Sequence, residues 1–217
     1  MEKPKTVAEF VAECLRKDIL LGEIKSGTRL KQDEISKQLN VSSTPVREAI
    51  KILVVEGLLS FDSYRGAVVK NLNYQDAKDI YDLRLDLEQK LIKRSFLKYD
   101  ESFLIKAKEI QKDIEQCTNI YDWAILNSYF HSSFWEIENE SKLYNIVENL
   151  MISSVPYISL TLMYKKTHKS ISNKEHNELI KAYEEKNLKH FIEINYNHTK
   201  KTRDIIEEAI EEKNKNK

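Results

Sequence analysis

Residues 30–69 read LKQDEISKQLNVSSTPVREAIKILVVEGLLSFDSYRGAVV, and their spacing decides the fold of the N-terminal part of the chain. Ile35 and Leu39 stand four apart, which puts both on one apolar face of a short helix running from about Asp33. Asn40-Val41-Ser42 is the turn, and Ser42, Ser43 and Thr44 are consecutive candidates to cap a second helix. Pro45 is tolerated behind them because the first helical turn has spare N–H groups. Val46, Ala49, Ile50, Leu53 and Val54 then recur at intervals of three and four and stop at Gly57. Leu58–Phe61 and Ala67–Val69 flank a polar turn, Asp62-Ser63-Tyr64-Arg65-Gly66, and predict a short β-hairpin. Helix, tight turn, helix and hairpin compose a winged helix-turn-helix.

This layout suits double-stranded DNA. A helix that opens with Ser42, Ser43 and Thr44 presents small hydroxyl groups and free backbone N–H donors to phosphates and base edges. Arg47 lies on the first turn opposite the apolar stripe, where its fork of donors reaches a phosphate or a guanine edge. Arg65 and Gly66 at the hairpin tip fit a minor groove, since glycine has no side chain to block the approach. The competing reading is a plain helical surface on which Arg47 pairs with Glu48 or Glu34.

The run V-S-S-T-P-V-R-E-A-I-K-I-L-V-V-E-G-L-L from Val41 resembles the signature of the GntR superfamily of bacterial transcription regulators, in its FadR-like branch. The resemblance over residues 10–70 implies operator binding by a homodimer. The family commonly carries Arg where this chain has Ser43, and a basic or polar contact residue where it has Asp33. Both departures remove positive charge from the DNA face and imply a different operator sequence.

Outward from this core, Thr6 is expected to cap a first helix whose apolar side is Val7, Phe10, Val11, Cys14, Leu15, Ile19 and Leu20, ending near Gly22. Lys25–Thr28 reads as a turn, and residues 71–73 as a linker between a DNA-binding domain (1–70) and a second domain (74–217). With 217 residues the chain is long enough for two small cores. Formal net charge is zero, with 12 Lys/Arg against 10 Asp/Glu in residues 1–70 and 23 against 25 in the rest. Such a chain is no indiscriminate polyanion binder, so DNA affinity must come from a local patch and fall with salt. Cys14 and Cys117 read as buried free thiols of a reducing cytoplasm. No apolar run approaches 18 residues, and Met1-Glu2-Lys3 does not lead into a signal core, so a cytoplasmic protein without membrane partners is expected.

Beyond Asn73 the pattern is helical throughout, with helices expected at about 74–98, 101–117, 120–138, 141–165, 171–186 and 188–212 and a charged, frayed tail from Glu211 to Lys217. Pro156 should kink or break the fourth. The fold class is therefore mainly α: a winged helix-turn-helix followed by an antiparallel all-helical bundle, which matches the effector-binding (FCD) domain of the FadR-like branch. Ile146–Leu162 holds candidates for dimer contacts.

Three helices of this domain each point one imidazole inward. Asn127 and His131 adjoin a stripe of Trp123, Leu126, Phe130, Phe134 and Ile137; His176 shares a face with Leu179, Ile180 and Tyr183; His198 lines up with Phe191, Ile194, Ile205 and Ala209. Spacing alone leaves two readings open: core histidines with separate partners, or one shared divalent metal ion. His168 and His190 fit no stripe and read as surface residues.

The family resemblance bears on this choice, because FadR-like regulators with this domain often hold a divalent metal through an Asp and three His. Asn127-Ser128-Tyr129-Phe130-His131, then His176 and His198, match that pattern except that Asn127 replaces the Asp. Three imidazoles suit Zn²⁺ or Ni²⁺, held more weakly without the anionic ligand. Arg84 in Tyr81–Glu88 is similar to the family's R-x-x-L-E, which implies a small carboxylate effector bound across metal and Arg84. The alternative is an Arg84–Glu88 surface pair. A ligand-responsive transcription regulator, rather than an enzyme, is the expected function. A metal-dependent hydrolase would need a base beside the metal, and Glu175 points about 100° away from its neighbour His176 on a helix. A DNA-binding dimer with purely structural histidines is the other alternative.

Overall fold

A computed structural model describes residues 6–62 and 64–215; Ser63 of the expected turn, the first residues and the last two of the charged tail lie outside it. The chain divides between Leu72 and Asn73 into two compact units.

In the first unit, α1 (Val7–Leu21) begins at a capping box, in which the Thr6 side chain accepts from the Glu9 N–H and the Glu9 carboxylate accepts from the Thr6 N–H. Gly22, at φ 83°, ends it. Val7 and Phe10, expected on the buried side, are about half exposed; the stripe that packs is Val11, Ala12, Leu15, Ile19 and Leu20. Cys14 is half-buried rather than buried, as is Cys117, and both are free thiols. α2 (Gln32–Leu39) ends at Asn40, whose left-handed φ of 52° is one that asparagine tolerates. α3 (Ser43–Val55) follows, with Val46, Ala49, Ile50 and Leu53 buried against α1 and α2. Ser42 is its N-cap residue, although its hydroxyl makes no capping hydrogen bond.

Strands β1 (Leu59–Asp62) and β2 (Gly66–Val69) pair antiparallel, with Leu59 opposite Val69 and Asp62 opposite Gly66. The segment expected as a turn before α2 does more than turn. Thr28 and Leu30 bond the outer edge of β2 through Val69 N–H to Thr28 O and Leu30 N–H to Ala67 O, and Arg29 bridges Val68. An Arg16–Glu56 ion pair, buried and bidentate at 2.6 and 2.9 Å, ties α1 to the end of α3.

The second unit holds six α-helices among its described residues: α4 (Tyr74–Phe96), α5 (Glu101–Gln116), α6 (Ile120–Ser133), α7 (Lys142–Tyr164), α8 (His168–Glu184) and α9 (Leu188–Lys215). Asn73, Asp100, Asn119 and Ser141 cap α4 to α7 with side-chain acceptors. α6 stops at Ser133, earlier than its apolar periodicity suggested, and a 3-10 turn at Glu136–Glu138 leaves Ile137 38% exposed. α8 starts at His168, three residues ahead of expectation, and α9 extends to Lys215.

α7 runs unbroken through Pro156. It is also long and apolar enough to cross a bilayer, with a mean hydropathy of 1.3 over 18 residues, against the expectation of no such stretch; 61% of that window is buried inside the protein, as befits a core helix. It packs against α4, α6 and α9. The core around it is aromatic: Trp123, Phe130, Phe134, Trp135, Tyr183 and Phe191 are almost wholly buried.

Candidate metal centre and nucleic-acid interface

His131 on α6, His176 on α8 and His198 on α9 converge at one point of the second unit. All three are buried, and their ligand-capable nitrogens lie within 4.8 Å of one another. Two of the rings are oriented from behind. His176 Nδ1–H donates to Gln111 Oε1 (2.9 Å), and His198 Nδ1–H donates to Glu175 Oε2 (2.7 Å), whose other oxygen accepts from Lys201 Nζ (2.6 Å). With the proton fixed on Nδ1, each ring turns an Nε2 lone pair toward the centre. His131 Nε2 lies 3.2 Å from His198 Nε2, whereas the buried Nε2 of His176 has no partner. Phe130 stacks on His176 at 4.1 Å and closes one side.

Burial, then the neighbouring imidazoles His198 and His176, hold His131 well below the usual histidine range; burial and His198 do the same to His176. Neutral rings are what a metal requires of imidazole. Three convergent nitrogens, two of them with their protons held on the far side, form a donor set that fits Zn²⁺ or Ni²⁺. Neither Gln111 nor Glu175 was legible as a partner in the sequence, since both look like ordinary helix-surface residues.

Asn127 lies one turn before His131, and its buried Oδ1 has no partner. It lines a cavity of about 10 Å³ together with Arg84, His198, His168, Ser172 and Thr202. That volume accommodates one water-sized group, so a carboxylate enters only if the walls part. Arg84 is not the surface residue of the alternative reading. It is 3% exposed, with Nε donating to Glu88 Oε1 (2.6 Å) and Nη1 to Ser154 Oγ (3.0 Å). Glu88 in turn accepts from Asn195 Nδ2 (2.9 Å). His168, expected at the surface, is buried as the first residue of α8, and its Nδ1 has no partner. Burial and the neighbouring His198 push it down to about 4. His190 is exposed.

In the first unit Ser42, Ser43, Thr44 and Arg47 are all exposed at the front of α3. Arg47 makes no ion pair among the described residues. The two carboxylates offered to it are engaged elsewhere, Glu48 with Lys51 (2.9 Å) and Glu34 with Lys31 (2.6 Å). The wing turn is built by Asp62, whose Oδ1 accepts from the N–H groups of Tyr64 (2.8 Å) and Arg65 (2.7 Å). Gly66 follows at φ 74°, a conformation that favours glycine. Arg65 Nη2 donates to Gly27 O (3.3 Å).

Arg65 and Gly66 also line an open groove of about 590 Å³ with Arg29, Lys31, Lys37, Asp33 and Glu34. Arg29, Lys31 and Lys37 escaped the sequence reading because their convergence on the wing depends on the extra pairing at Arg29. Tyr64 is 94% exposed beside Arg65, again unremarked in the sequence.

Residues 7–69 match the family model described as bacterial regulatory proteins of the gntR family, and residues 79–200 match that of the FCD domain. The chain is 27% identical over 220 residues to YdhC, an HTH-type transcriptional regulator of Bacillus subtilis (strain 168), with 97% of each chain covered. It is 32% identical over 156 residues to the gluconate operon transcriptional repressor of the same organism, covering 70% of this chain and 63% of that one. Among solved structures, a GntR-family regulator of Pseudomonas syringae pv. tomato str. DC3000 is similar over 99% of this chain and 91% of its own, with 26% identity and a TM-score of 0.59. E. coli McbR/YncC, at 18% identity, shares the fold with a TM-score of 0.65 over 95% of this chain and all of its own. The front of α3, the wing and the helical unit with its buried imidazoles thus sit in a protein of known lineage: the chain belongs to the GntR family of DNA-binding transcription regulators and carries the family's FCD domain.

Proposed function

We propose that this regulator is a cytoplasmic repressor that binds a pseudo-palindromic operator as a homodimer and is controlled by a small carboxylate at a metal centre. The observation that carries the reading is the meeting of His131, His176 and His198 from three helices, two of them held from behind by Gln111 and Glu175. A divalent ion there supplies a Lewis-acidic anchor for an anionic oxygen. Asn127 offers the site a neutral carbonyl oxygen. Arg84, in the same cavity, supplies a guanidinium for the carboxylate once the walls part.

At the other end of the chain, the first turn of α3 with Ser42, Ser43, Thr44 and Arg47 enters the major groove. Arg65 and Gly66 follow the minor groove, and two copies match the two halves of the operator. The repressor sense is taken from the name of the gluconate operon relative.

A second reading has one observation in its favour. His131 and His198 are close enough at 3.2 Å to satisfy each other without metal. That arrangement still leaves His176 Nε2 buried and unpaired, at a cost of about 1–3 kcal/mol. Metal analysis of the purified protein, beside His131→Ala, separates the two. Stoichiometric metal lost in the variant supports the centre; no metal in either protein, with a loss of stability in the variant, favours structural histidines. Salt-dependent binding to the chain's own upstream region, relieved by a carboxylate, tests the regulator. Equal affinity for random duplex would remove the operator reading.

A further inference from the structure

The groups around the imidazole cluster bring no free negative charge to it. Among the described residues no Asp or Glu joins His131, His176 and His198 in a metal-sized group. Asn127, with its unpartnered Oδ1, is a neutral amide. The carboxylates behind the cluster are already spoken for. Glu175 accepts from His198 and Lys201, and Glu88 accepts from Arg84, Asn195 and Thr199. Arg84, lining one cavity with Asn127 and His198, adds a buried cation that is paired with Glu88. A divalent ion held here by neutral nitrogen and oxygen keeps its full charge in a place sheltered from water, where a charge without a counter-charge is most costly.

We infer that metal and anionic ligand bind this site as mutually dependent partners. Asn127, because it is neutral, makes an external anion part of the metal's complement, and each ligand tightens the other. The inference rests on the reading of the cluster as a metal centre. Thermodynamic linkage then requires the two enhancements to be equal: the factor by which the anion tightens the metal is the factor by which the metal tightens the anion. The protein would thus register two signals at once and respond weakly to either alone.

The test is Zn²⁺ affinity of the full chain, by competition with a chromophoric chelator, in acetate and in methanesulfonate at matched ionic strength. Methanesulfonate is similar in size but coordinates metals poorly. Acetate is expected to tighten Zn²⁺ on the order of tenfold or more. Asn127→Asp, which brings its own charge, should bind Zn²⁺ more tightly in methanesulfonate and gain about threefold or less from acetate. Zn²⁺ that binds equally in both buffers would overturn the inference and leave the metal centre standing. Failure to bind Zn²⁺ in either would overturn the metal centre and the inference with it. The unaltered protein supplies a check that needs no variant: acetate affinity, read by NMR titration, must rise with Zn²⁺ by the same factor, and unequal factors overturn the coupling.

Discussion

Arg47 is exposed at the front of α3, and Glu34 and Glu48 are occupied by Lys31 and Lys51. Its guanidinium therefore has little to do for folding. Arg47→Gln is expected to weaken operator binding about 10- to 100-fold, the equivalent of about 1–3 kcal/mol, in fluorescence anisotropy at fixed salt. The melting temperature should stay unchanged; a fall in it would reassign the residue to structure.

His168 makes the opposite case, a group whose burial matters to stability. Its folded pKa of about 4 lies below the 6.5 of an ordinary histidine, so the unfolded chain takes up a proton that the folded chain refuses. The stabilisation is whole above pH 6.5 and drains away as pH falls toward 4. His168→Asn, which cannot titrate, should lose less stability than the unaltered protein between pH 7.5 and 5 in metal-free urea denaturation. Identical losses would count against the buried neutral ring. The sequence showed His131, His176 and His198 because each lies on an apolar stripe of helical period. It hid His168 because the capless start of α8 carries no stripe, and it hid Gln111 and Glu175 because their partners are brought to them only by helix packing.

At the scale of elements, the wing and α3 were readable because turn chemistry and periodicity agree from Asn40 to Gly66. Helix ends were less so. The alternation of apolar residues continues past Ser133 to Ile137, yet α6 yields to a 3-10 turn that the pattern alone does not announce. Pro156 sits within α7 where a kink or a break is expected, and the break is absent, in a helix whose surroundings on α4, α6 and α9 hold it together. The Arg16–Glu56 tie between α1 and α3 was invisible, since both residues look like surface charges forty positions apart. With both side chains only 10% exposed, Arg16→Met should leave Glu56 buried without its counter-charge and cost about 3 kcal/mol or more in chemical denaturation. The double variant Arg16→Met/Glu56→Leu should regain most of that loss. A double variant as unstable as the single one would show that the pair itself, and not the stranded charge, is what matters.

On the scale of the whole molecule, zero net charge conceals a local excess at the wing groove, where Arg29, Lys31, Lys37 and Arg65 gather. Two copies each neutralising about three phosphates would give log K against log salt a slope of roughly −5. A slope shallower than about −2 would mean that this groove does not meet the backbone. The helical unit has one further property of consequence. α4 begins at Tyr74, directly after the joint between the two units, and carries Arg84 into the cavity without an intervening loop. The eleven residues from Tyr74 to Arg84 make a continuous helical beam about 15 Å long. Arg84 and the start of the helical unit are thus the two ends of one stiff stretch, and the carboxylate control proposed above would need no loop to carry a displacement of the arginine back to Tyr74.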